Sequence, residues 1–253
     1  MDLPQLFQGG ATQMISIVTG TLNRRHMLER LLANTVNRSE RVELVLVDGG
    51  SIDGTIEYIK RLNHPRIKLI EVGGRSSYPH YMNLGIRHAT HNLVCQWNDD
   101  VLLINSWDEI IAELEEGIDF YLFNWKYGDL PDLENEDWLR GNGQAERWFL
   151  CNTKEESGGD IVMNYGIYNK KIFEEIGMYD TKFNYYYADS DMSERAWHFG
   201  FKVKTLKDIK VISLNTPKMA VHFSDDKMKW DLNQNLYQHK TLPDTLEYLG
   251  EKK

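Results

Sequence analysis

The stretch Val42–Thr55, VELVLVDGGSIDGT, gives the clearest indication of how the chain folds. Its first six residues are mostly apolar and rich in valine, which is typical of a strand buried in a parallel sheet. Asp48 closes this strand and is followed by two glycines. Apolar residues at positions 56, 59 and 62 then recur at helical spacing. The stretch therefore predicts a strand, a turn and a helix in succession.

The same unit recurs on both sides of this stretch. Strands are predicted at Met14–Val18, Val42–Val47, Ile67–Val72 and Leu93–Trp97, and helices at Arg24–Val36, 56–62, Tyr81–Thr90 and Trp107–Glu116. The strands follow one another at nearly equal spacing, about the length of one strand plus one crossover helix. This alternation predicts an α/β fold with a parallel, right-handed sheet flanked by helices.

The second half of the chain is less regular. It contains predicted strands at Asp119–Trp125, Gly159–Tyr168, Val203–Leu206 and Val211–Leu214, and helices at Lys170–Ile176 and Asp189–Phe199. Between them, Gly128–Ser157 is polar and acidic, and we interpret it as a long loop with short helical pieces. We expect a loose arm over residues 1–13, one domain over 14–223 and a partly helical tail over 224–253.

Composition excludes several classes of protein. The 253 residues carry a formal net charge of −9, which argues against a nucleic-acid or anionic-membrane binder. Cys95 and Cys151 cannot build a disulfide framework or a cysteine-rich zinc site, so we expect a reducing, cytoplasmic setting. No apolar run is long enough for a membrane span, and residues 1–13 do not resemble a signal peptide.

Polar turns follow three of the predicted strands, at the edge where ligands bind in open parallel sheets. They are Thr19–Arg24, Asp48–Thr55 and Asn98–Asp100. The Asp48 carboxylate could accept hydrogen bonds from a base or a ribose, and the glycines after it would let a ligand approach closely. The alternative is ordinary turn chemistry with a helix cap.

Asp99 and Asp100 are adjacent carboxylates that repel each other at the end of a buried strand. A surface turn could tolerate them, whereas Mg²⁺ or Mn²⁺ would relieve the repulsion and could be shared with substrate phosphates. The usual dinucleotide, P-loop, zinc-protease and nucleophile-elbow motifs are absent from the sequence. A phosphate group would therefore be held by metal and side chains.

Two later positions are also candidates. Asp189 stands where a loop becomes a helix, so it could be a helix cap or a general base for an acceptor hydroxyl. The three tyrosines before it could line a sugar site or lie in the core. His222 lies in an apolar segment, where a packed histidine is the more common outcome, but it could also be a third metal ligand.

Six blocks, in this order, resemble the GT-A-fold family 2 glycosyltransferases of the nucleotide-diphospho-sugar transferase superfamily. They are MISIVTGTLNR, ELVLVDGGSIDGT, MNLGIRHAT, LVCQWNDD, GGDIVMNYGIYNKKIFEEIGMYD and ADSDMSERAWHFGFKV, between about Met14 and Val203. The resemblance implies a GT-A-type, mostly parallel sheet with a nucleotide-sugar half at 14–118 and a mixed acceptor half at 119–223.

The resemblance also implies roles for individual residues. The nucleotide would contact Thr19, Thr21, Asp48, Arg75, Asn83 and Asp99; the metal would be held by Asp100 and His222; Asp189 would be the catalytic base; and Tyr187, Asp191 and Trp125 would lie on the acceptor side. Some positions depart from the family pattern. Gly20 stands where proline or serine is common, Leu22 where an aromatic often stacks on the base, Gly49 and Asn98 where acids are common, and Ala188 where glutamate is usual.

The resemblance implies transfer of a sugar from a nucleoside-diphosphate sugar, with UDP-sugars favoured, to a hydroxyl of a glycan or another acceptor. The reaction would be inverting and would depend on Mn²⁺ or Mg²⁺. Two alternatives stay open at this point. One is a nucleotidyltransferase, for which the loop after the first strand is poorly suited, and the other is a catalytically inactive nucleotide-sugar-binding module.

Overall fold

The computed structural model describes residues 13–128, 149–150, 165–183 and 188–214. The predicted N-terminal arm, most of the predicted long loop and the predicted C-terminal tail lie outside the described residues. Within the described ranges, no helix has the length and apolar character needed to cross a membrane. The cytoplasmic location stays a prediction.

Nine strands and six helices are described, in the following order along the chain. The strands are β1 Ile15–Thr21, β2 Val42–Asp48, β3 Ile67–Glu71, β4 Leu93–Gln96, β5 Val101–Leu103, β6 Phe120–Gly128, β7 Phe149–Leu150, β8 Gly166–Asn169 and β9 Val203–Leu214. The helices are α1 Arg25–Asn34, α2 Thr55–Leu62, α3 Tyr78–His88, α4 Trp107–Ala112, α5 Lys171–Ile176 and α6 Ala188–His198.

The described strands form one sheet in the order β3-β2-β1-β4-β8-β6-β9-β5, with β7 paired to β6. Strands β3, β2, β1 and β4 are parallel, which confirms the parallel first half. Strand β8 then runs antiparallel to both β4 and β6, while β9 is parallel to β6 and antiparallel to β5. The mixed second half is confirmed as well.

The central strands are apolar on both faces because helices cover both. All seven residues of β2 are buried, as expected for a parallel strand between two layers. Helix α1 buries Met27, Leu28, Leu31 and Leu32, and α3 packs against β1 and β2. Gly85 allows α3 to come this close, since a Cβ there would collide with Val18. Each fully buried leucine contributes about 1.5–3 kcal/mol.

Several elements differ from the sequence prediction, among them α4, which ends at Ala112 instead of Glu116. Residues 203–214 form one strand, not two, because β9 continues along β6 across a register shift at Phe123/Asn124. The short strand β5 was not predicted. Helix α3 begins at Tyr78 instead of Tyr81, because Ser77 caps it by accepting a hydrogen bond from the His80 backbone N–H, and a proline lies in its first turn.

Candidate functional site

The turns after β1, β2 and β4 meet at the carboxyl edge of the parallel strands. Thr21 lies beside Asp48 in the β1–β2 register. Two side-chain bonds join the first two turns: the Asn23 amide oxygen accepts from the Ile52 N–H, and Ser51 Oγ accepts from the Asn23 N–H, both at 2.8 Å. The edge predicted from sequence is thus a single connected surface.

The paired acids after β4 face the turn after β1. Thr21 Oγ1 donates a 2.7 Å hydrogen bond to Asp99 Oδ2. The Arg24 guanidinium lies 2.7 Å from Asp100 Oδ2 and 3.3 Å from Asp99 Oδ1. Burial raises the pKa of Asp99 to about 6, with the Asp100 charge acting in the same direction and Arg24 and Thr21 opposing both. This pair therefore carries negative charge that the fold only partly compensates.

Asp48 is fully buried at the end of β2. Its Oδ1 accepts hydrogen bonds from the backbone N–H groups of Gly50 and Ser51, at 2.8 and 2.7 Å. Its Oδ2 is buried and has no hydrogen-bond partner among the residues that the structure describes. A buried acceptor without a donor costs free energy, so this oxygen is suited to a donor brought by a ligand.

Tyr81, on α3, fills the space beside Asp48. A Cβ at Gly49 would collide with the Tyr81 hydroxyl, and a Cβ at Gly20 would lie 2.9 Å from the ring. The Tyr81 hydroxyl also accepts a 2.7 Å hydrogen bond from the Ser76 N–H. Sequence reasoning missed this residue, although glycine at both positions 20 and 49 was a usable signal that a large side chain packs over the turns.

The other nucleotide-binding candidates differ in their surroundings. Thr19 is fully buried within β1. Arg75 is exposed in the segment between β3 and α3. Asn83 is bonded in both directions to the backbone of Tyr179, donating at 2.8 Å and accepting at 2.9 Å. These contacts favour a role for Asn83 in fastening α3 to the second half, and its nucleotide contact stays a prediction.

Asp189 lies half-buried in the first turn of α6. Burial raises the pKa of the Tyr78, Tyr168 and Tyr179 hydroxyls, and the Asp189 charge contributes in the same direction for all three. Tyr78 opens α3, the helix that carries Tyr81 to the sheet edge. Asp189 is therefore within electrostatic reach of residues next to the site.

Asp191 is one of the residues predicted to lie on the acceptor side. Its side chain is buried, with 3% exposed, and accepts a 3.0 Å hydrogen bond from Arg195 Nε. Arg195 also donates to the carbonyl oxygens of Ile176 and Met178. This contact favours a structural role for Asp191, and its acceptor role stays a prediction. The Trp125 side chain, Tyr187 and His222 lie outside the described residues.

The metal expected from the sequence can be tested against the side chains present. Among the residues that the structure describes, no group of three or more histidine, cysteine or acidic side chains could hold a metal ion. Asp99 and Asp100 supply hard carboxylate oxygens at one edge, where a guanidinium already partly balances their charge. Such oxygens suit Mg²⁺ or Mn²⁺ shared with substrate phosphates. The acid pair thus fits a divalent ion completed by its ligand.

The family model described as glycosyl transferase family 2 matches residues 16–177. The match spans the parallel strands, the three turns and α5, so the chain belongs to glycosyl transferase family 2. No curated protein matches the sequence significantly.

Solved structures agree on the fold. One is the mannosyltransferase PcManGT from Pyrobaculum calidifontis in complex with GDP-Man and Mn²⁺, with a TM-score of 0.60, 19% identity, and coverage of 94% of this chain and 68% of that one. Another is S. aureus TarS 1–349 in complex with UDP, with a TM-score of 0.58, 16% identity, and coverage of 92% and 68%. At these identities the likeness establishes the GT-A fold that the sequence implied.

Proposed function

We propose that the protein transfers a sugar from a nucleoside-diphosphate sugar to an acceptor hydroxyl. The observation that carries this proposal is the convergence of Asp48, Asp99 and Asp100 at the carboxyl edge of a family 2 fold. Ligands bind at this edge in open α/β sheets. A nucleotide-sugar needs acceptors for its base and ribose and positive charge for its diphosphate.

The base would lie against Asp48. Its unpartnered Oδ2 would accept a hydrogen bond from a ring N–H, as uracil and guanine both offer, while Oδ1 stays bonded to the backbone. The similar structures contain GDP-Man in one case and UDP in another. We favour a UDP-sugar, with Tyr81 forming the wall beside the base and Thr19, Thr21 and Arg75 among the nucleotide contacts.

The diphosphate would lie beside the acid pair. Asp100 would hold Mn²⁺ or Mg²⁺ and Asp99 would face the ribose. When bound, such an ion neutralises charge on the leaving diphosphate. The residues of this chain hold the two carboxylates in place. Thr21 donates a hydrogen bond to one oxygen of Asp99, and Asp100 follows it in the turn after β4. Positioning of this kind lowers the barrier by removing entropy before the reaction.

Asp189 would act as the general base of an inverting transfer. It would take the proton from the acceptor hydroxyl as that oxygen forms a bond to the anomeric carbon. The bond from that carbon to the diphosphate oxygen breaks on the opposite face, and the nucleoside diphosphate leaves with the electron pair. The position of Asp189 in the first turn of α6, where the helix dipole favours a carboxylate, supports a charged base.

A donor screen tests the proposal. Purified protein is incubated with Mn²⁺ and a panel of nucleoside-diphosphate sugars, with and without simple glycan acceptors, and release of free nucleoside diphosphate is measured. We expect at least one donor to be consumed. The Asp189→Asn variant should lower transfer by about 10²–10⁴-fold, whereas Glu175→Gln, which removes an exposed carboxylate on α5, should not. Metal-dependent binding of nucleotide without turnover of any donor would favour an inactive binding module.

A further inference from the structure

A single guanidinium lies on both acids of the Asp99–Asp100 pair. Arg24 donates to Asp100 Oδ2 at 2.7 Å and lies 3.3 Å from Asp99 Oδ1, and all three side chains are largely shielded from water. An arginine in such a place is a fixed positive charge against two carboxylates. The pair therefore has a protein cation where the proposed function requires a metal cation.

The fold places Arg24 there. It precedes the first residue of α1, directly after the turn that follows β1. Asn23 adopts a positive φ of 53°, which asparagine tolerates better than most residues, and its side chain and backbone are both bonded to the turn after β2. The neighbouring Arg25 points elsewhere: it pairs with Glu29 and lies over the Tyr58 ring. The contact thus depends on the position of Arg24 and not on a general excess of arginine.

A divalent ion and a guanidinium compete for the same oxygen of Asp100, where Arg24 already donates at 2.7 Å. Both are cations, and they repel each other strongly where water is partly excluded. Metal binding at Asp100 must therefore displace Arg24 from that oxygen or be weakened by it. Because couplings between binding events are reciprocal, any change that removes Arg24 from Asp100 must increase the affinity of Asp100 for the metal ion.

We propose that Arg24 is a built-in counter-ion of the Asp99–Asp100 pair that competes with the divalent cation for Asp100 and so sets the metal affinity of the donor-free protein. The inference rests on the metal site of the proposed function. It makes Arg24 a counter-ion that balances the acid pair when no donor is bound. The opposite role, in which Arg24 holds the acids in place for the metal, predicts the opposite effect of removing it.

The test is Mn²⁺ affinity in the absence of nucleotide, measured by titration calorimetry and by electron paramagnetic resonance of free Mn²⁺. We expect Arg24→Met to bind Mn²⁺ about tenfold more tightly than the unchanged protein, a size typical of coupled sites. Arg25→Met loses the same charge one residue away and should change the affinity by less than about twofold. Adding Asp100→Asn to Arg24→Met should abolish the gain.

A second measurement uses the unchanged protein and so does not depend on a variant folding. The Arg24 side-chain Nη–H resonances are followed by NMR during titration with diamagnetic Mg²⁺, because Nη2 makes the contact with both acids. They should shift and lose their salt-bridge signature as Mg²⁺ binds, while those of Arg25 stay constant. Unchanged or weaker Mn²⁺ binding by Arg24→Met, or an Arg24 signal that does not respond to saturating Mg²⁺, overturns the inference. The proposed function would survive either of these two results, provided that the unchanged protein still binds Mn²⁺ through Asp100.

Discussion

Strand β2 carries an acid near each end, and the fold treats the two differently. Near the amino end, Glu43 accepts hydrogen bonds from Ser16 Oγ and from the Thr90 N–H and hydroxyl, at 2.6 to 2.7 Å, with Lys68 at 3.6 Å. At the carboxyl end, Asp48 has one bonded oxygen and one buried oxygen that has no partner within the described part of the chain. In the turn after β4, Asp99 and Asp100 share the single guanidinium of Arg24.

The pKa values follow the same division. Burial alone would raise the pKa of Glu43, but its bonds to Ser16 and Thr90 and the charge of Lys68 outweigh burial and lower it. Burial raises the pKa of Asp99 to about 6 because its partners compensate less. Acids that the fold fully satisfies are structural, and acids left short of partners at a ligand-binding edge are candidates for function.

Among the acids of β2 and of the turn after β4, the largest expected effect is on turnover, from Asp100→Asn. Removing the carboxylate that would hold the cation should lower kcat/KM for donor consumption by about 10²–10³-fold. Stability should change little, because the lost contact with Arg24 is offset by the removal of one of two adjacent like charges. Steady-state kinetics and a thermal melt check both parts. Turnover within about threefold of the unchanged protein would remove Asp100 from the site.

An acid-to-amide change near the amino end of β2, at Glu43, should lower stability and leave turnover intact. Glu43→Gln breaks a buried set of charge-assisted bonds and should lower the free energy of unfolding by about 2–3 kcal/mol. Urea unfolding measures the loss. Turnover per folded molecule should be unchanged. A loss of turnover in fully folded Glu43→Gln would contradict the contrast between a structural acid at the amino end of β2 and functional acids at the carboxyl edge.

Asp48→Asn should separate binding from stability. The amide can keep an oxygen toward the backbone N–H groups of Gly50 and Ser51, but it presents a donor where the base needs an acceptor. Nucleotide affinity should fall about tenfold or more, while the free energy of unfolding changes by about 1 kcal/mol. Calorimetric titration with UDP and Mn²⁺ reports the first effect. Undiminished binding would mean that the base lies elsewhere.

The smallest expected effect is a pH dependence of stability. In the folded protein Asp99 takes up its proton near pH 6, above the usual range of an unfolded aspartate, so its ionisation costs stability above pH 6 and that cost disappears as the pH falls toward 4. Asp99→Asn should therefore gain about 1–2 kcal/mol over the unchanged protein at pH 8 and roughly half of that at pH 5.

Glu43→Gln gives the matched contrast. The lowered pKa keeps Glu43 ionised in the folded state at both pH values, so the deficit of this variant should be nearly the same at pH 5 and pH 8. Urea unfolding of both variants at the two pH values provides the comparison. A pH-independent difference for Asp99→Asn would show that its carboxylate is compensated after all.

The first half of the fold was predictable because its central strands are largely buried and its four parallel strands are regularly spaced. The valines and leucines of β2 leave no alternative to a central parallel strand. The second half was harder, because β9 passes a register shift that interrupts its pattern, and the three-residue β5 is too short to leave one. Periodicity does not encode such irregular pairings.

The candidate site was predictable to the level of its acids but not of their partners. Asp48, Asp99 and Asp100 follow strands whose order along the chain indicates a common edge. Arg24 and Tyr81 did not stand out, since their roles depend on where long side chains reach across the fold. The glycines at 20 and 49 could have pointed to Tyr81, whereas nothing in the sequence specifies that Arg24, and not Arg25, meets the acids.

The most direct test of the central claim is a crystal structure with UDP and Mn²⁺, using the anomalous signal of manganese to locate the ion. We expect one manganese peak within coordination distance of Asp100, with the uracil ring N–H bonded to Asp48 Oδ2. A nucleotide bound away from the carboxyl edge of β1, β2 and β4, or manganese bound without contact to Asp100, would contradict it.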